Sequence, residues 1–302
     1  MLEIRPIDAD DAAFALSVEI ANEVAPDHAL TLEERREIFA QLPRNRTYLA
    51  YVDGVPRGTS SGLFHPGSPH PNCRNLVLRQ ARRVGIGSAL YGAVSKWAAA
   101  EGATLMEVRA DEADPAGIEF ALRRGFREVS REIKAILDLE PLDPPTVTPP
   151  DGVEVVPWSE RPEVARGLYE VYVEATPDIP GNEDLVEPYD EWLTLHMRGP
   201  GDRADATFVA VAGDEVVGFA KLSLTEAQPE IAYHDLTAVK RAWRGRGVAR
   251  ALKATQIAWA KQAGYKRLST SNEERNAPIR RLNAEFGYRP GPALILFRGP
   301  LA

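Results

Sequence analysis

The sequence of 302 residues contains a single cysteine, Cys73. The chain can therefore form no internal disulfide, and so few thiols are typical of a reducing compartment. Long apolar runs are also missing, because no stretch approaches the roughly 18 uncharged apolar residues that a membrane-spanning helix needs. The first residues lack the basic stretch and apolar core of a signal peptide. These absences predict a cytoplasmic globular protein with no membrane partner.

Residues that bind metal ions or form covalent intermediates are scarce. Two of the 5 histidines, His65 and His70, lie near Cys73 in a Pro- and Gly-rich stretch. They lack the paired spacing that is typical of zinc sites, so a plain surface loop is the better interpretation and no metal is expected. The sequence also offers no serine or cysteine in a nucleophile motif, so we expect no covalent intermediate.

Basic residues are outnumbered by acidic ones. Lys and Arg number 36, Asp and Glu number 44, and the formal net charge is −8. An acidic total argues against broad binding to nucleic-acid phosphates and favours cationic small substrates. The hydrophobic content of 44% and the charged content of 26% are those of ordinary globular proteins.

The chain contains an internal repeat. Its opening Leu2-Glu3-Ile4 corresponds to Val153-Glu154-Val155. Further residues of the first half recur in the second half at one constant spacing: Arg82, Gly85, Ala89, Leu90, Trp97, Gly102 and Gly125 return as Arg244, Gly247, Ala251, Leu252, Trp259, Gly264 and Gly287. Chance seldom repeats tryptophan, glycine and arginine in this way, so we infer a duplication.

The duplication predicts two domains of one topology. A proline-dense segment at 144–152 reads as a stiff linker, which gives domains at 1–143 and 153–302. Strand-type and helix-type patterns alternate within each copy. The predicted fold class is α/β (α+β), with each domain a mixed, mostly antiparallel sheet flanked by helices.

The most specific motif is the glycine turn at 244–249, Arg-Gly-Arg-Gly-Val-Ala. A strand-type stretch precedes it and a helix-type pattern follows. This arrangement directs several backbone N–H groups at one place, in front of the positive end of the helix dipole, and so predicts a site for a phosphate group. A dinucleotide fingerprint fits less well, because Arg250 stands where that pattern needs a small residue. A tight turn without a ligand is the remaining alternative.

The turn resembles the acyl-CoA pyrophosphate loop of the GNAT N-acetyltransferase superfamily, whose pattern is Gln/Arg-x-x-Gly-x-Gly/Ala. The two copies resemble the tandem-domain members of that superfamily, such as mycothiol synthase. The resemblance implies that acetyl-CoA (coenzyme A) is the cofactor. It implies these binding residues: Ala238, Val239, Arg244, Gly245, Arg246, Gly247, Val248, Ala249, Arg250 and Asn276.

The resemblance also directs attention to the strand before the loop. Acetyl transfer needs a held thioester, a deprotonated amine and stabilisation of the developing oxyanion. Many family members carry a glutamate base where Tyr233 stands here. Asp235 lies one strand repeat further, on the face of Thr237 and Val239, and His234 points the other way unless a bulge intervenes. We predict Asp235 as the base, direct or through water, with His234 second; a purely structural hydrogen bond is an equally supported role for Asp235.

The proton donor is less well specified. The family tyrosine that protonates the departing thiolate corresponds to Asn283, whose amide can hydrogen-bond the sulfur but cannot donate a proton outright. Tyr233 and Tyr288 are alternatives between which the sequence does not choose.

The first half departs further from the family pattern. The first half has other residues at the positions that correspond to Tyr233, Asp235, Asn276 and Asn283. They are, in the same order, Pro71, Cys73, Asp114 and Ala121. We therefore predict catalysis in the second domain and a degenerate or non-catalytic first domain. The first domain is either structural or a second cofactor site, which would use Val77, Arg82, Arg83, Gly85, Ile86, Gly87 and Ser88.

The acceptor is expected to bind at the segment 176–187, because the loop and its helix are committed to CoA. Acidic residues of this segment could hold a protonated amine. They are Asp178, Glu183, Asp184 and Glu187. A solvated acidic loop without a ligand is equally consistent with the sequence. Trp158 and Trp192 could line the pocket, but such aromatics are more often core.

These features predict an acyl-CoA-dependent N-acyltransferase that moves an acetyl group to a primary amine of a small molecule by direct attack in a ternary complex. The alternative is a non-catalytic CoA-binding or acyl-CoA-binding protein that has lost the chemistry. The expected partner is the small-molecule amine, with no nucleic acid, and the expected assembly is a monomer or homodimer.

Overall fold

The structure, a computed structural model, describes residues 1–7, 10–179 and 187–302. Two units pack separately: Met1–Arg131 with Ala293–Ala302 form unit 1, and Glu132–Pro292 form unit 2. Among the described residues, no helix is long and apolar enough to cross a membrane.

Unit 1 begins at the amino terminus and continues to the first part of a long strand, β6. Its elements are β1 (Leu2–Ile7), α1 (Asp11–Val24), α2 (Leu32–Gln41), β2 (Asn45–Val52), β3 (Val55–Leu63), β4 (Asn72–Val77), α3 (Ile86–Ala100), β5 (Leu105–Asp111), α4 (Pro115–Leu122) and the start of β6 (Arg127–Asp138).

Unit 2 contains the rest of β6 and the elements that follow it, as far as the start of the last strand. These elements are β7 (Glu154–Pro157), α5 (Ala165–Ala175), α6 (Tyr189–Met197), β8 (Asp202–Ala212), β9 (Glu215–Ser223), β10 (Ile231–Val239), α7 (Val248–Gln262), β11 (Arg267–Glu273), α8 (Ala277–Glu285) and β12 (Arg289–Pro300).

The sheets of the two units repeat one pattern. In unit 1 the strand order is β1-β2-β3-β4-β5-β12, and in unit 2 it is β7-β8-β9-β10-β11-β6. Neighbours run antiparallel, except that β4 pairs parallel with β5 and β10 pairs parallel with β11. The predicted fold class, a mixed and mostly antiparallel sheet flanked by helices, is confirmed for both copies.

The packing units and the sequence halves differ in two places. The sequence boundaries put residues 132–143 in the first domain and residues 293–302 in the second, whereas the packing does the reverse. Strand pairing is the reason. Residues 132–138 of β6 form a ladder with β11, and residues 294–300 of β12 form a ladder with β5. Each unit therefore closes its sheet with a strand from the other half of the sequence.

Both faces of the unit 2 sheet are covered by apolar helix faces. On one face, Leu168 of α5 and Trp192 of α6 pack against Phe219 of β9. On the other, Leu252 of α7 packs with Val217. Each of these side chains is at most 1% exposed. Trp158 and Trp192 belong to the same buried cluster, so they are core residues.

Local chemistry sets the helix starts and hairpins. The side chain of Asp10 accepts hydrogen bonds from the N–H groups of Ala12 and Ala13, which caps α1. Asp53 and Gly54 both have positive φ, 50° and 79°. This conformation matches the twist of a two-residue hairpin and joins β2 to β3.

The close approach of β12 to the core of unit 1 gives a first prediction. A Cβ built on Gly299 would overlap the ring of Phe126, which is 3% exposed and has little room to move. We expect Gly299→Ala to lower the free energy of unfolding by about 1–3 kcal/mol through overpacking, as measured by urea unfolding of the full chain.

A matched glycine in the same unit provides the control. A Cβ on Gly92 of α3 would meet no atom within 4 Å. Gly92→Ala should therefore stabilise the protein by about 0.5–1 kcal/mol, as expected for a helix interior. If both substitutions gave the same change, the packing of β12 described for Gly299 would be contradicted.

Candidate functional site

The strand β10 parts from its parallel neighbour partway along its length. Pairing with β11 includes Ile231, Ala232 and Tyr233, and it ends where Tyr233 faces Ser269. Pairing with β9 on the other side continues to Val239. Beyond Tyr233 the backbone ladder between β10 and β11 ends, although the hydroxyl of Thr270 on β11 still donates to the carbonyl oxygen of His234 at 2.9 Å.

A β-bulge lies at this point of divergence. The register of β10 on β9 shifts between His234 and Leu236, so Asp235 is the additional residue. After the bulge the faces change. Nε2 of His234 lies 3.0 Å from Oγ1 of Thr237, whereas Leu236 packs in the core cluster of α5 and α6. Thr237 therefore shares a face with His234, and the regular alternation expected of Asp235 and Thr237 does not hold.

The glycine turn after β10 has the predicted strand–turn–helix geometry. Gly245 and Gly247 adopt left-handed φ values of 73° and 95°, and Gly247 is the N-cap of α7. A Cβ would meet no atom within 4 Å at Gly245, and at Gly247 only Pro150 at 3.9 Å. Glycine is thus required here by backbone conformation, and the space in front of the turn is open. The first N–H groups of α7 have no acceptor within the helix.

Arg244 stabilises this turn by holding the end of the strand. Its Nε donates to the carbonyl oxygen of Val239 at 3.0 Å. The turn of unit 1 repeats the contact, because Nε of Arg82 donates to the carbonyl oxygen of Val77 at 3.2 Å. The repeated arginine therefore has a structural role in both copies, in addition to its charge.

The other arginines around the turn of unit 2 have partners of their own. Asp178 receives Nε and Nη2 of Arg241 at 3.0 and 2.8 Å and Nη1 of Arg244 at 2.6 Å. Hydrogen bonds from Arg241 and Arg244 lower the pKa of Asp178 to about 2. Arg250 pairs with Glu285. Asp178, expected in the acceptor site, therefore lies against the loop arginines.

The turn of unit 1 differs mainly at one backbone position. Gly85 keeps a left-handed φ of 91°, but Arg83, with φ 69°, stands where the second copy has Gly245. A left-handed arginine is strained relative to glycine. A Cβ on Gly87 would lie 3.2 Å from the ring of Phe120, and Ile86 is 1% exposed, as is the corresponding Val248. Ser88 accepts Nη2 of Arg124 at 2.7 Å.

Asp235 belongs to an ion-pair network. Lys221, almost fully buried, places Nζ 2.8 Å from Oδ2 of Asp235 and 2.9 Å from Oδ1 of Asp202. Burial alone would raise the pKa of Asp235, but the Lys221 ammonium outweighs burial and holds the pKa below its ordinary value. The Asp235 side chain is 39% exposed, so it remains accessible as an anion.

His234 lies in a buried cluster on the α7 side of the sheet. It is 2% exposed, with Nδ1 3.3 Å from the hydroxyl of Tyr288 and 3.2 Å from Nζ of Lys253. Burial, followed by the charge of Lys253, holds the pKa of His234 well below its ordinary value. Burial also lowers the pKa of Lys253 to about 7. His234, the second candidate base, therefore faces the core.

The candidate proton donors differ in access. Asn283 is buried and donates Nδ2 to Oδ1 of Asn272 at 2.6 Å. Tyr288 is 5% exposed, and burial raises its pKa. Tyr233 is 37% exposed, and burial of the phenol, followed by the Asp235 charge, raises its pKa to about 12. Asn276 is the N-cap of α8.

A second group of polar side chains faces β10 from α5 and α6. Oε2 of Glu187 accepts the hydroxyl of Tyr172 at 2.6 Å and lies 2.8 Å from Nε2 of His196. The carbonyl oxygen of His196 accepts Nζ of Lys221 at 2.5 Å, which places His196 beside Asp235. Glu183 and Asp184 of the predicted acceptor segment lie outside the described residues.

Several of these residues escaped the sequence analysis. Lys221 is a charged residue within the apolar run of β9, and Lys253 lies on the buried stripe of α7 with Ile257 and Ala260. A charged residue at a core position was the available signal in both cases. No comparable signal marks His196, whose role depends on contacts with Glu187. In the described part of the chain, no group of three or more His, Cys, Asp or Glu side chains could hold a metal ion.

Comparisons with known proteins show the same duplication. The family model described as the acetyltransferase (GNAT) family matches residues 14–126 and again residues 165–288. Aminoglycoside N(6')-acetyltransferase type 1 of Stenotrophomonas maltophilia is 32% identical over 126 residues, which cover 39% of this chain and 79% of that protein.

Solved structures share the fold over the whole chain. A GCN5-related N-acetyltransferase from Sphaerobacter thermophilus has a TM-score of 0.77 at 19% identity, covering 99% of this chain and 96% of its own. A tandem GNAT protein from the clavulanic acid biosynthesis pathway has a TM-score of 0.79 at 19% identity, covering 100% and 99%.

The buried amine of Lys253 predicts a pH-dependent stability. Its pKa is about 7 in the folded chain and 10.5 in its ordinary state, so the unfolded chain binds more protons between these values. Stability should therefore rise with pH from about 7 to about 10, by at most about 1.4 kcal/mol per pH unit from this group. We expect Lys253→Met to be more stable than the unsubstituted protein at pH 7, with the difference shrinking at pH 8 and 9 in urea unfolding.

The exposed Lys96 of α3 supplies the control for this measurement. Lys96→Met should leave the slope of stability against pH unchanged. A Lys253→Met protein whose stability follows the unsubstituted protein in parallel from pH 7 to 9 would disprove a neutral buried Lys253.

Proposed function

The chain belongs to the acetyltransferase (GNAT) family, and on that premise we propose that unit 2 transfers an acetyl group from acetyl-CoA to a primary amine of a small molecule. Family membership supports acyl transfer from acyl-CoA in general. The choice of unit, acceptor and proton-handling residues is drawn from the geometry around β10.

The turn between β10 and α7 is the main observation that supports binding of acetyl-CoA at unit 2. Two left-handed glycines, open space in front of them and the amino terminus of a 15-residue helix form a cradle for phosphate oxygens. These features fit the pyrophosphate of acetyl-CoA. Residues 244–250 would hold it, and Ala238 and Val239 at the open edge of β10 would line the pantetheine. Acetyl-CoA supplies the activated acetyl group when bound.

Asp178 has a part in this binding step. Its carboxylate makes bidentate contact with Arg241 and also pairs with Arg244, so an incoming phosphate competes with Asp178 for these guanidinium groups. A charge-assisted pair between arginine and an anion is among the stronger hydrogen bonds. We therefore assign Arg241 and Arg244 to positioning and the backbone N–H groups to the main phosphate contacts.

Anionic and aromatic side chains on the other side of β10 suit a cationic acceptor. Asp235 is partly exposed and ionised, and Lys221 connects it to the main chain of His196, whose ring in turn contacts Glu187. Glu187 also accepts the hydroxyl of Tyr172. The relative from Stenotrophomonas maltophilia is named for N-acetylation of an aminoglycoside, which is a small molecule with several amines. We place the acceptor ammonium at Asp235.

His196 is the residue best suited to take the proton from the amine. Its ring nitrogen can accept a proton directly, whereas the lowered pKa of Asp235 makes that carboxylate a weak base. Glu187 beside Nε2 would stabilise the imidazolium and leave Nδ1 to accept the proton. Asp235 then binds and orients the amine, and His196 activates it.

Tyr233 is assigned to the leaving group. Of the three candidate donors it is the residue with the greatest exposure, 37%, and its raised pKa keeps the phenol protonated at neutral pH. Tyr288 and Asn283 are buried by comparison. Attack by the amine is direct, because the cysteine of this chain lies in unit 1 and unit 2 has no thiol to carry the acetyl group.

Unit 1 lacks the matching groups. Cys73 stands where unit 2 has Asp235; it is 1% exposed, and burial raises the pKa of its thiol to about 12. Together with the strained Arg83 and the covered Gly87, this supports a non-catalytic role for unit 1.

The cradle predicts a defined binding defect. Gly247→Glu places a carboxylate at the proposed phosphate site and should weaken binding of acetyl-CoA at unit 2 by about 100-fold or more, measured by isothermal titration calorimetry. The matched control is Gly264→Glu, because Gly264 has a similar φ of 89° and open surroundings at the other end of α7. It should bind normally. Unchanged affinity in Gly247→Glu would show that the turn is not the phosphate site.

The proton-handling assignments predict different kinetic effects of three substitutions. With acetyl-CoA and a panel of small amines, His196→Gln should lower kcat by about 10²–10⁴-fold. Asp235→Asn should mainly raise KM for the amine. Tyr233→Phe should lower kcat with little change in KM. Release of free thiol is the readout, and Asp214→Asn at an exposed turn of the same unit is the control.

The outcomes separate two functions. An unchanged kcat in His196→Gln would remove His196 from the role of base. Tight binding of acetyl-CoA without thiol release from any amine would favour the non-catalytic CoA-binding alternative.

A further inference from the structure

Lys221 of β9 is the centre of a charge network that the proposed reaction uses only at one end. Its side chain is 5% exposed. The ammonium has three N–H donors, and three oxygens accept them: Oδ1 of Asp202 at 2.9 Å, Oδ2 of Asp235 at 2.8 Å and the carbonyl oxygen of His196 at 2.5 Å. Lys221 therefore has no N–H group left for a bound molecule.

Asp202 is the buried end of this network. Its side chain is 6% exposed, and both of its oxygens accept hydrogen bonds within the protein. Oδ1 accepts Nζ of Lys221, and Oδ2 accepts the N–H group of Gly199 at 2.9 Å. Burial raises the pKa of Asp202, and the Lys221 ammonium opposes this effect. Asp202 can therefore act on a bound molecule only through Lys221.

The turn before β8 fixes the position of Asp202. Gly201 has a left-handed φ of 82°, and a Cβ at this residue would overlap the carbonyl oxygen of Leu224. The carbonyl oxygen of Gly201 accepts the N–H group of Leu224 at 3.0 Å, and Asp202 pairs with Ser223 in the ladder between β8 and β9. The backbone thus holds the Asp202 carboxylate in contact with Lys221.

Asp235 is the end of the network that a ligand can reach. Its side chain is 39% exposed, and Lys221 and the hydroxyl of Ser223 both contact Oδ2. Within residues 1–7, 10–179 and 187–302, the other oxygen, Oδ1, accepts no hydrogen bond. One oxygen of an ionised carboxylate is therefore open to an ammonium group from outside.

The charge of this side of the sheet depends on Asp202. Burial lowers the pKa of Lys221, but the carboxylates of Asp235 and Asp202 outweigh burial and keep the amine charged. Lys221 alone would neutralise Asp235. Because Asp202 engages the same ammonium, the three side chains together carry one negative charge. Glu187, in contact with the ring of His196, is a further carboxylate nearby.

Such a network distinguishes two kinds of amine. A simple ammonium group offsets the negative charge at Oδ1 of Asp235. An α-amino acid also brings a carboxylate, which the α-carbon holds next to the ammonium, so the same mode of binding would add another negative charge there. Lys221 has no N–H group to receive that carboxylate, and like charges at close range repel.

We propose that the acceptor of unit 2 is an amine with no carboxylate beside its amino group, and that Asp202 sets this selectivity as a positioning residue by engaging the charge of Lys221. This inference rests on the proposed acetyl transfer by unit 2 and narrows its acceptor class. Asp202 makes the Lys221 ammonium a compensated charge, which a ligand carboxylate cannot use.

Ethanolamine, L-serine and L-serinamide test the selectivity of the full chain. Serine differs from ethanolamine by a carboxylate, and serinamide has the size of serine without that charge. With acetyl-CoA, kcat/KM from thiol release should be at least about tenfold higher for ethanolamine and serinamide than for serine. Isothermal titration calorimetry with the three compounds gives the same comparison of affinities without turnover.

Asp202→Asn should weaken this selectivity. Lys221 then neutralises Asp235 and has a charge that a ligand carboxylate can use, so KM should rise for ethanolamine and fall for serine. The ratio of their kcat/KM values should drop about tenfold or more, with KM for acetyl-CoA unchanged. A loss of packing alone would lower both kcat/KM values by the same factor. Asp205→Asn is the matched control and should keep the ratio, because Asp205 lies on the same strand and pairs with the exposed Arg203.

A double substitution assigns the effect to the charge of Lys221. In Asp202→Asn/Lys221→Met the ammonium that Asp202 compensates is removed together with Asp202. The preference for ethanolamine over serine should therefore return, in kcat/KM and in affinity. A double variant as unselective as Asp202→Asn would contradict a role that acts through Lys221.

Two further results would overturn the inference. One is equal affinity and equal kcat/KM for ethanolamine and serine in the unsubstituted protein. The other is an unchanged preference for ethanolamine in Asp202→Asn. Tighter binding of ethanolamine than of serine, without thiol release from any amine, would contradict the proposed reaction but support the selectivity of the site.

Discussion

Parallel pairing between β10 and β11 lasts for only three residue pairs, Ile231 to Tyr233, and the rest of the candidate site depends on that short ladder. Where the strands part, the bulge at Asp235 turns one carboxylate toward α5 and α6 and turns His234 toward α7. The same divergence opens the edge of β10 and brings its end into the left-handed turn that begins α7. One local change in strand pairing therefore positions the glycine turn at the end of β10 and directs Asp235 and His234 to different sides of the sheet.

Two buried lysines show how the surroundings decide what a charge does. Lys221 lies between Asp202 and Asp235 and stays charged, so it holds Asp235 in its ionised form. Lys253 has an imidazole and an aromatic ring as neighbours and loses its charge near neutral pH. Pairing with carboxylates and loss of the proton are two ways to avoid an unpaired buried charge.

The parts of the molecule that follow from local rules were predictable from the sequence. A short motif predicts the two left-handed glycines and the helix after them. The recurrence of Arg82 and Gly85 as Arg244 and Gly247 predicts a second copy of the domain. The bulge could not be predicted, because it depends on the register of β10 against β9 and moves Thr237 to the other face. His196 could not be predicted for a similar reason, because its place in the candidate site depends on contacts with Glu187 and Lys221. Asp178 was expected at the acceptor site, but its bonds to Arg241 and Arg244 are long-range contacts that no local pattern encodes.

The exchange of strands between the two sequence halves has a consequence for how the protein is made. Unit 1 takes its last strand from residues 294–300, against β5, and these residues are synthesised after Met1–Arg131 of the same unit. While the chain is being synthesised, β5 is thus an edge strand with unsatisfied main-chain groups, and such edges are prone to wrong pairing. Unit 2, in contrast, already has its portion of β6 when its own strands emerge. The second half of the gene product can therefore close its sheet before the first half does, and a cut through the linker would leave both fragments without a strand.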